Sequence, residues 1–311
     1  MHIGILGTGF GKYHGSLYQK IDPSIQLTYW GRNSETLMQI GSELHCDYTT
    51  DISALLDNQN LDFIDICLPS QLHAEYALLA LRKNHAVFLE TPAVTTIEDG
   101  LAIMEAAEKA DKKVLVNMFL LYDPYYRMIH DLCQSKKYGE LKHITLYRRT
   151  PPIWGALGSD KIAMSLMIHD LDFAAWLGND LKLISCSVTD NPDHTGAVID
   201  CLLSNETLQI HVEGNSMRSP GTPFSVGYEA TFEHATICYQ ENDSEAGELT
   251  ECSVYTKEQE TKISFPPEAH CRRLLEDVLH DFRNKEASAL SIENALPALK
   301  IAFALGKSVQ L

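Results

Sequence analysis

Three glycines in the stretch GILGTGFGKYH, Gly7, Gly9 and Gly11, follow an apolar run and open a helical pattern. Glycines at such a turn let the backbone fold tightly and approach a pyrophosphate, whose charge a helix N-terminus stabilises. Their place after the first strand of a strand–helix series makes the pattern more specific than a lone glycine motif. Phe10 lies within the same turn, and Lys12 holds the third fingerprint position, where glycine is usual. A tight strand–helix turn without ligand is the other reading. The second strand ends in TYWGRNS. Folds that take the unphosphorylated dinucleotide present a carboxylate to the ribose 2′-hydroxyl there. Here Gly31 occupies that place, followed by Arg32, Asn33 and Ser34. An arginine among small polar residues suits a 2′-phosphate, which favours NADP over NAD; a solvated loop arginine is the alternative.

Two further stretches bear on proton chemistry. FLETPAV is an apolar strand that stops at Glu90-Thr91-Pro92. The Thr91 hydroxyl does not titrate near neutrality; it donates one hydrogen bond and accepts others, so it positions an oxygen and is a poor primary acid or base. MIHDLDFAAWLG places His169 beside Asp170, with Asp172 three residues on and on a shared helix face. Imidazole has an ordinary pKa suited to proton transfer at neutral pH. His169 reads either as the proton donor/acceptor, with Asp172 fixing its tautomer, or as a member of a buried hydrogen-bond network.

Taken together, GTGFGKYH, ICLPSQLHAEYALLALRKNHAVFLETPAV, YDPYYRMIHDL with YGELKHI, and MIHDLDFAAWLG occur in the order found in the Gfo/Idh/MocA oxidoreductases, which this chain resembles most clearly over residues 1–180. The resemblance implies an N-terminal Rossmann domain and a C-terminal α/β domain with a large open sheet that often forms an oligomer interface. It implies sugars, polyols or related hydroxy compounds as substrates, oxidised or reduced by NAD(P). Leu68, Pro69 and His73 match the loop that borders the cofactor, and Glu90 and Pro92 match the Glu-Lys-Pro motif, with Thr91 in place of the catalytic lysine. His169 matches the catalytic histidine. Ser165 stands where an aspartate is expected one turn earlier, and Leu120 and Leu121 replace the arginine that often precedes the Tyr122 position.

Candidate substrate contacts surround these residues. Tyr122 has a phenolic proton. RRTPPIWG, residues 148–155, offers Arg148 or Arg149 for an anionic group and Trp154 for a sugar face, just before the His169 helix. Ser165 is a further candidate by its position one turn before His169. Exposed charge and ordinary loop anchoring are the alternatives for each.

The elements that must hold these groups alternate through the first 120 residues between short apolar runs and helical patterns. That alternation predicts parallel strands with right-handed crossovers. After Leu120 the pattern turns to helices over about 124–135 and 163–177, then to a succession of strands. Helices over 268–284 and 292–309 close the chain, with Pro297 as a kink or late start. The acidic stretch 241–248 reads as a solvated loop. The expected fold is therefore α/β: a Rossmann doubly wound parallel sheet over 1–120, and over 121–311 an α/β domain with a large, mainly antiparallel open sheet.

Composition agrees. The 311 residues are 45% hydrophobic and 22% charged, with 42 acidic and 25 basic residues and a net charge of −17. That profile suits a globular protein and repels nucleic acid and anionic membrane. The eight cysteines form no C-x-x-C pair or zinc spacing, so no metal site is expected and a reduced, cytoplasmic setting is. The chain starts without a signal-peptide pattern. The leading expectation is an NAD(P)-dependent oxidoreductase acting on a small sugar- or polyol-like molecule, as a homo-oligomer through the C-terminal sheet. The rival is a dinucleotide-binding regulatory or sensor protein that has lost redox turnover.

Overall fold

A computed structural model describes residues 1–244, 247–266, 270–284 and 286–308. The chain divides into two compact units, Met1–Phe119 with Ala269–Leu296, and Leu120–Glu268 with Pro297–Leu311. The first boundary falls one residue from the expected one. Residues 270–296 depart from the expected 121–311 domain, because they return to the first unit.

That unit carries six parallel strands, β1 His2–Leu6, β2 Gln26–Trp30, β3 Asp47–Thr49, β4 Phe63–Ile66, β5 Ala86–Leu89 and β6 Val114–Val116. They lie in the order β3-β2-β1-β4-β5-β6. Between them run α1 Phe10–Ile21, α2 Ser34–Leu44, α3 Ile52–Leu56, α4 His73–Arg82 and α5 Ile97–Ala110. β4 is buried at every position, as a strand covered on both faces must be. The order reverses between β1 and β4, and the carboxyl ends of these strands are where doubly wound folds place ligands. α5 starts at Thr96, whose hydroxyl caps it by accepting from Asp99 N at 3.1 Å.

The second unit begins with α6 Pro124–Ser135, capped by Asp123 through Tyr125 N and Tyr126 N. β7 Leu141–Arg149 leads to α7 Ile168–Leu177, and β8 Lys182–Asp190, β9 Ala197–Ser204, β10 Gln209–Asn215, β11 Phe224–Phe232, β12 Thr236–Ser244, β13 Gly247–Tyr255 and β14 Glu260–Lys262 follow. The eight strands pair as β14-β13-β12-β11-β7-β10-β9-β8, antiparallel except for β7 with β10. Ile144, Leu146 and Arg148 are buried, and α7 packs against β7 and β10. Their neighbours Thr145, Tyr147 and Arg149 point to the opposite face by strand alternation. The stretch 241–248 corrects the loop expectation: residues 241–244 continue β12 and residues 247 and 248 open β13, with Asp243 opposite Glu248. Residues 245 and 246 lie outside the described residues.

The closing helices are α8 His270–Arg283 and α9 Ile292–Ser308. Residues 268 and 269 of the expected first helix and 309 of the second lie outside the described residues. Phe282 of α8 stacks on Phe63 at 4.2 Å. Lys113 Nζ donates to the carbonyl oxygens of Asp281, Asn284 and Glu286 at 2.7–2.8 Å, closing the α8 C-terminus. These ties draw the segment back to the first unit. Pro297 lies inside α9, which continues through it. Among the described residues no helix is long and apolar enough to cross a membrane.

Candidate functional site

Gly7 has φ +118°, and a Cβ there would run into the Cys67 carbonyl oxygen, so both conformation and space require glycine. A Cβ on Gly11 would come within 2.8 Å of Ile5 Cγ2, and one on Gly15 would strike the Tyr29 hydroxyl. Gly11 and Gly15 thus provide the close helix–sheet packing that a glycine at position 12 would otherwise serve. Lys12 instead pairs with Glu43 at 2.5 Å. Gly9 is different: a Cβ there would meet nothing within 4 Å. It precedes α1, whose start has no side-chain cap and no acidic residue in its first turn. Uncapped amides beside open space fit an anionic pyrophosphate. Phe10, 67% exposed, stands at the rim.

An open cleft of about 790 Å³ is lined by Thr8, Arg32, Asn33, Ser34 and Glu35. The Asn33 side chain caps α2, accepting from Glu35 N at 2.9 Å and Thr36 N at 3.1 Å. Asn33 is thereby committed to the helix start, and Arg32, Ser34 and Glu35 are the other polar side chains that line the cleft beside Thr8. On the loops after β4 and β5, Leu68 is half-buried and Pro69 exposed. His73 is buried, and its ring nitrogens lie 2.9 Å from Pro92 O and 2.7 Å from Leu68 O. It ties the two loops together from inside. Burial holds its imidazole below the ordinary range.

Glu90 and Thr91 follow β5, where the Thr91–Pro92 peptide is cis. Thr91 Oγ1 donates to Asn117 O at 2.5 Å. With its proton committed there, the hydroxyl offers lone pairs to a ligand. Glu90 accepts from Asn117 Nδ2 at 2.7 Å and from Thr91 N at 3.3 Å, and lies 3.0 Å from His14 Nε2. His14 Nδ1 lies 2.9 Å from Asp65 Oδ2, which also accepts from Tyr18. Burial opposes charge on both His14 and Glu90. Asp65 nevertheless holds the imidazole well above its ordinary range, and His14 holds the Glu90 carboxyl below its own. His14, Cys67 and Glu90 offer ligand-type atoms within 4.8 Å of one another. Burial pushes the Cys67 thiol well up, and both imidazole nitrogens face carboxylates. The cluster is a hydrogen-bonded chain. Sequence reasoning passed over His14, although its place one turn into α1, in GTGFGKYH, put it under the strand ends.

In the second unit α7 is preceded by a widened turn, Ala163–Met167, with π-type hydrogen bonding. Such a turn shifts the helical phase, so the four-residue spacing from Ser165 to His169 does not place them on one face as in a regular helix. Ser165 is exposed and His169 half-buried. Arg148 donates through Nε to Asp170 Oδ2 at 2.7 Å and through Nη2 to Oδ1 at 3.2 Å, both residues being buried. Burial, and then the Arg148 guanidinium, hold the His169 imidazole well below its ordinary range. Burial, and then Asp170, push the Asp172 carboxyl well up, and its Oδ1 has no hydrogen-bond partner. Asp172 is thus driven toward its neutral form, unlike the carboxylate that would support an imidazolium.

Arg149, the next residue of β7, is placed apart from Arg148. It lies on the sheet face opposite α7, paired with Glu213 at 2.5 Å and stacked over Tyr147 at 4.3 Å. There it lines a depression of about 470 Å³ with Thr145, Tyr147, Gln240, Glu251 and Tyr255. Tyr122 is buried, and Trp154 is 54% exposed and packs edge-on to Phe224 at 4.9 Å.

Residues 1–118 match the family model described as oxidoreductase family, NAD-binding Rossmann fold. That match makes residues 1–118 similar to the nucleotide-binding domain of the Gfo/Idh/MocA oxidoreductases. An inositol 2-dehydrogenase of Pseudomonas savastanoi pv. phaseolicola is 27% identical over 144 residues, 46% of this chain and 42% of that protein. One from Rhizobium meliloti is 24% identical over 57% of this chain and 54% of its own. The chain thus spans about half the length of the relatives it matches in sequence. In three dimensions it is similar over its whole length to a putative NADPH-dependent oxidoreductase from Desulfitobacterium hafniense, with TM-score 0.85, 18% identity and 96% of that chain covered. KijD10, a 3-ketoreductase from Actinomadura kijaniata in complex with NADP, aligns with TM-score 0.80 and 16% identity over 98% of this chain and 96% of its own. The expected α/β fold, a Rossmann parallel sheet followed by a second domain on a large, mostly antiparallel sheet, is borne out.

Proposed function

We propose that this chain is an NAD(P)-dependent oxidoreductase acting on a sugar- or polyol-like hydroxy compound. The observation that carries the reading is the glycine turn Gly7–Gly11, open at Gly9 and opening an uncapped α1 at the carboxyl edge of the sheet. The relatives named as inositol dehydrogenases and a 3-ketoreductase support the substrate class. A bound dinucleotide would supply hydride transfer. The Gly7–Gly11 amides would hold its pyrophosphate, and Arg32 with Ser34 its ribose phosphate, which favours NADP(H). Leu68, Pro69 and the Glu90–Pro92 turn would border the nicotinamide half.

The chain's own residues handle the proton. A His169 imidazole depressed by burial and Arg148 is neutral at pH 7 and accepts a proton from a substrate hydroxyl. Thr91, with its proton on Asn117 O, accepts a hydrogen bond and suits an alcohol rather than a carbonyl. Asp172, as a neutral carboxyl on the next turn of α7, is the orienting group. The sheet face bearing Tyr147, Arg149 and Tyr255 is assigned to homo-oligomer contact, and eight free thiols support a reducing, cytoplasmic setting.

Fluorescence titration with NADPH and NADH tests the cofactor, and a panel of polyols, sugars and their ketones followed by NADPH absorbance tests turnover. Saturable binding is expected, with turnover that His169→Ala abolishes while binding persists. Absence of saturation with either nucleotide refutes the reading. Binding without turnover across the panel favours the sensor reading, which Thr91 and Ser165 in place of the motif lysine and aspartate support.

A further inference from the structure

The loss of the lysine from Glu-Lys-Pro leaves Glu90 as a carboxylate without a neighbouring ammonium, yet its side chain is only 16% exposed. A carboxylate so withdrawn from water needs a cation or several donors. His14 meets that need from a different element. Its Nε2 faces Glu90 Oε1 at 3.0 Å and its Nδ1 faces Asp65 Oδ2 at 2.9 Å, with the ring stacked on Phe88 at 5.8 Å. An imidazole with a carboxylate at each nitrogen must carry both protons, since either neutral tautomer would turn a lone pair toward a carboxylate oxygen. The chain of contacts runs from Tyr18 and Asp65 through His14 to Glu90, then to the Thr91 amide and the Asn117 side chain. It spans the carboxyl ends of β4, β5 and β6, the edge at which doubly wound folds bind their ligands.

We propose that His14 is a positioning residue that works as an imidazolium, fixing Glu90, Thr91 and Asn117 in place at the edge that receives the nicotinamide half of the dinucleotide. The positive charge absent from position 91 is thereby supplied from the first helix. Titratable groups facing His14 are Tyr13 and Tyr18 on α1, Tyr29 on β2, Asp65 and Cys67 at the end of β4, and Glu90 after β5. The two carboxylates keep both imidazole protons in place as pH rises past the ordinary imidazole range. The functional part of the proposal rests on the dinucleotide reading; the protonation state does not.

Two measurements on the full chain decide it. Histidine-labelled NMR of the ligand-free protein should show His14 doubly protonated at pH 8; titration at or below the ordinary value near 6.5 overturns the proposal. NADPH titrations of wild type, His14→Gln, Glu90→Gln and the double variant, each checked for an intact thermal transition, test positioning. His14→Gln should weaken NADPH about tenfold, the loss of one charge-assisted hydrogen bond. The double variant should be no weaker than the weaker single one. Wild-type affinity should fall as pH rises through the His14 transition, and His14→Gln should be flat there. Equal affinity and the same pH profile in wild type and His14→Gln overturn the proposal. If wild type binds neither nucleotide, the dinucleotide reading fails and the positioning role falls with it, while the NMR arm still decides the protonation state. Should His14→Gln not fold, Asp65→Asn replaces it and should lower the pH at which His14 deprotonates; an unchanged transition overturns the proposal.

Discussion

Replacing Arg148 with Met would leave Asp170 buried with no cation. The pair is bidentate, at 2.7 and 3.2 Å, with Arg148 5% and Asp170 0% exposed. At an effective dielectric of about 20, charges ~4 Å apart attract by about 4 kcal/mol. Desolvation of the two ions offsets most of that, so the intact pair contributes little net stability. Removing one partner is another matter, because the attraction goes and the penalty on Asp170 stays. Arg148→Met should destabilise the second unit by about 3–5 kcal/mol. In a unit of this size about 2–4 °C is lost per kcal/mol, hence a fall of about 6–20 °C in its thermal transition. Arg148→Met with Asp170→Leu should recover most of the loss, since an apolar pair of similar volume needs no solvation. Differential scanning calorimetry of wild type and the two variants measures this. A single-variant loss below about 1 kcal/mol, the size of a surface pair, would refute the claim that the pair is buried and mutually dependent. The same single variant removes one of the two causes depressing His169, so its imidazole should titrate closer to the ordinary range by NMR.

Lys113→Met should cost about 2–3 kcal/mol and loosen α8 first, read as faster amide exchange over 270–283, because three carbonyls lose one shared donor. Asp172→Asn should have little effect on stability at pH 4 and add about 1–2 kcal/mol at pH 8 by urea denaturation. A carboxyl raised on folding stabilises fully below its unfolded value near 3.9 and loses that contribution as pH climbs toward the folded value, and Asn does not titrate. A gain of the same size at both pH values would count against the raised carboxyl. Arg32→Ala should weaken NADPH at least tenfold more than NADH in fluorescence titration, the loss of a charge-assisted bond to a 2′-phosphate; equal weakening would assign the cleft to the unphosphorylated cofactor.

Much of the scaffold was legible in the sequence because its signals are local. Gly7 needs a positive φ that only its own residue type permits readily, Thr96 and Pro124 mark helix starts through capping and a missing N–H, and the apolar runs FIDI and AVFL announce buried parallel strands. Those features depend on neighbours a few residues away. The return of α8 to the first unit was not legible, since it depends on Lys113 and Phe63 meeting a segment more than 150 residues on. Nor was the fate of Arg148 and Arg149: strand alternation guarantees that they point apart, and only the packed sheet decides that one meets Asp170 and the other Glu213. Ser165 and His169 were four apart in the chain, and a widened turn changed the angle between them. His14 stood in plain view one turn into the helix that the glycine turn opens, but the two carboxylates that set its charge come from β4 and the end of β5, 51 and 76 residues away. Residue type and local backbone preference settled the glycine turn before α1; the electrostatic state of each titratable group was settled by burial and by partners that only the tertiary fold brings within a few ångströms, where a low dielectric makes them count.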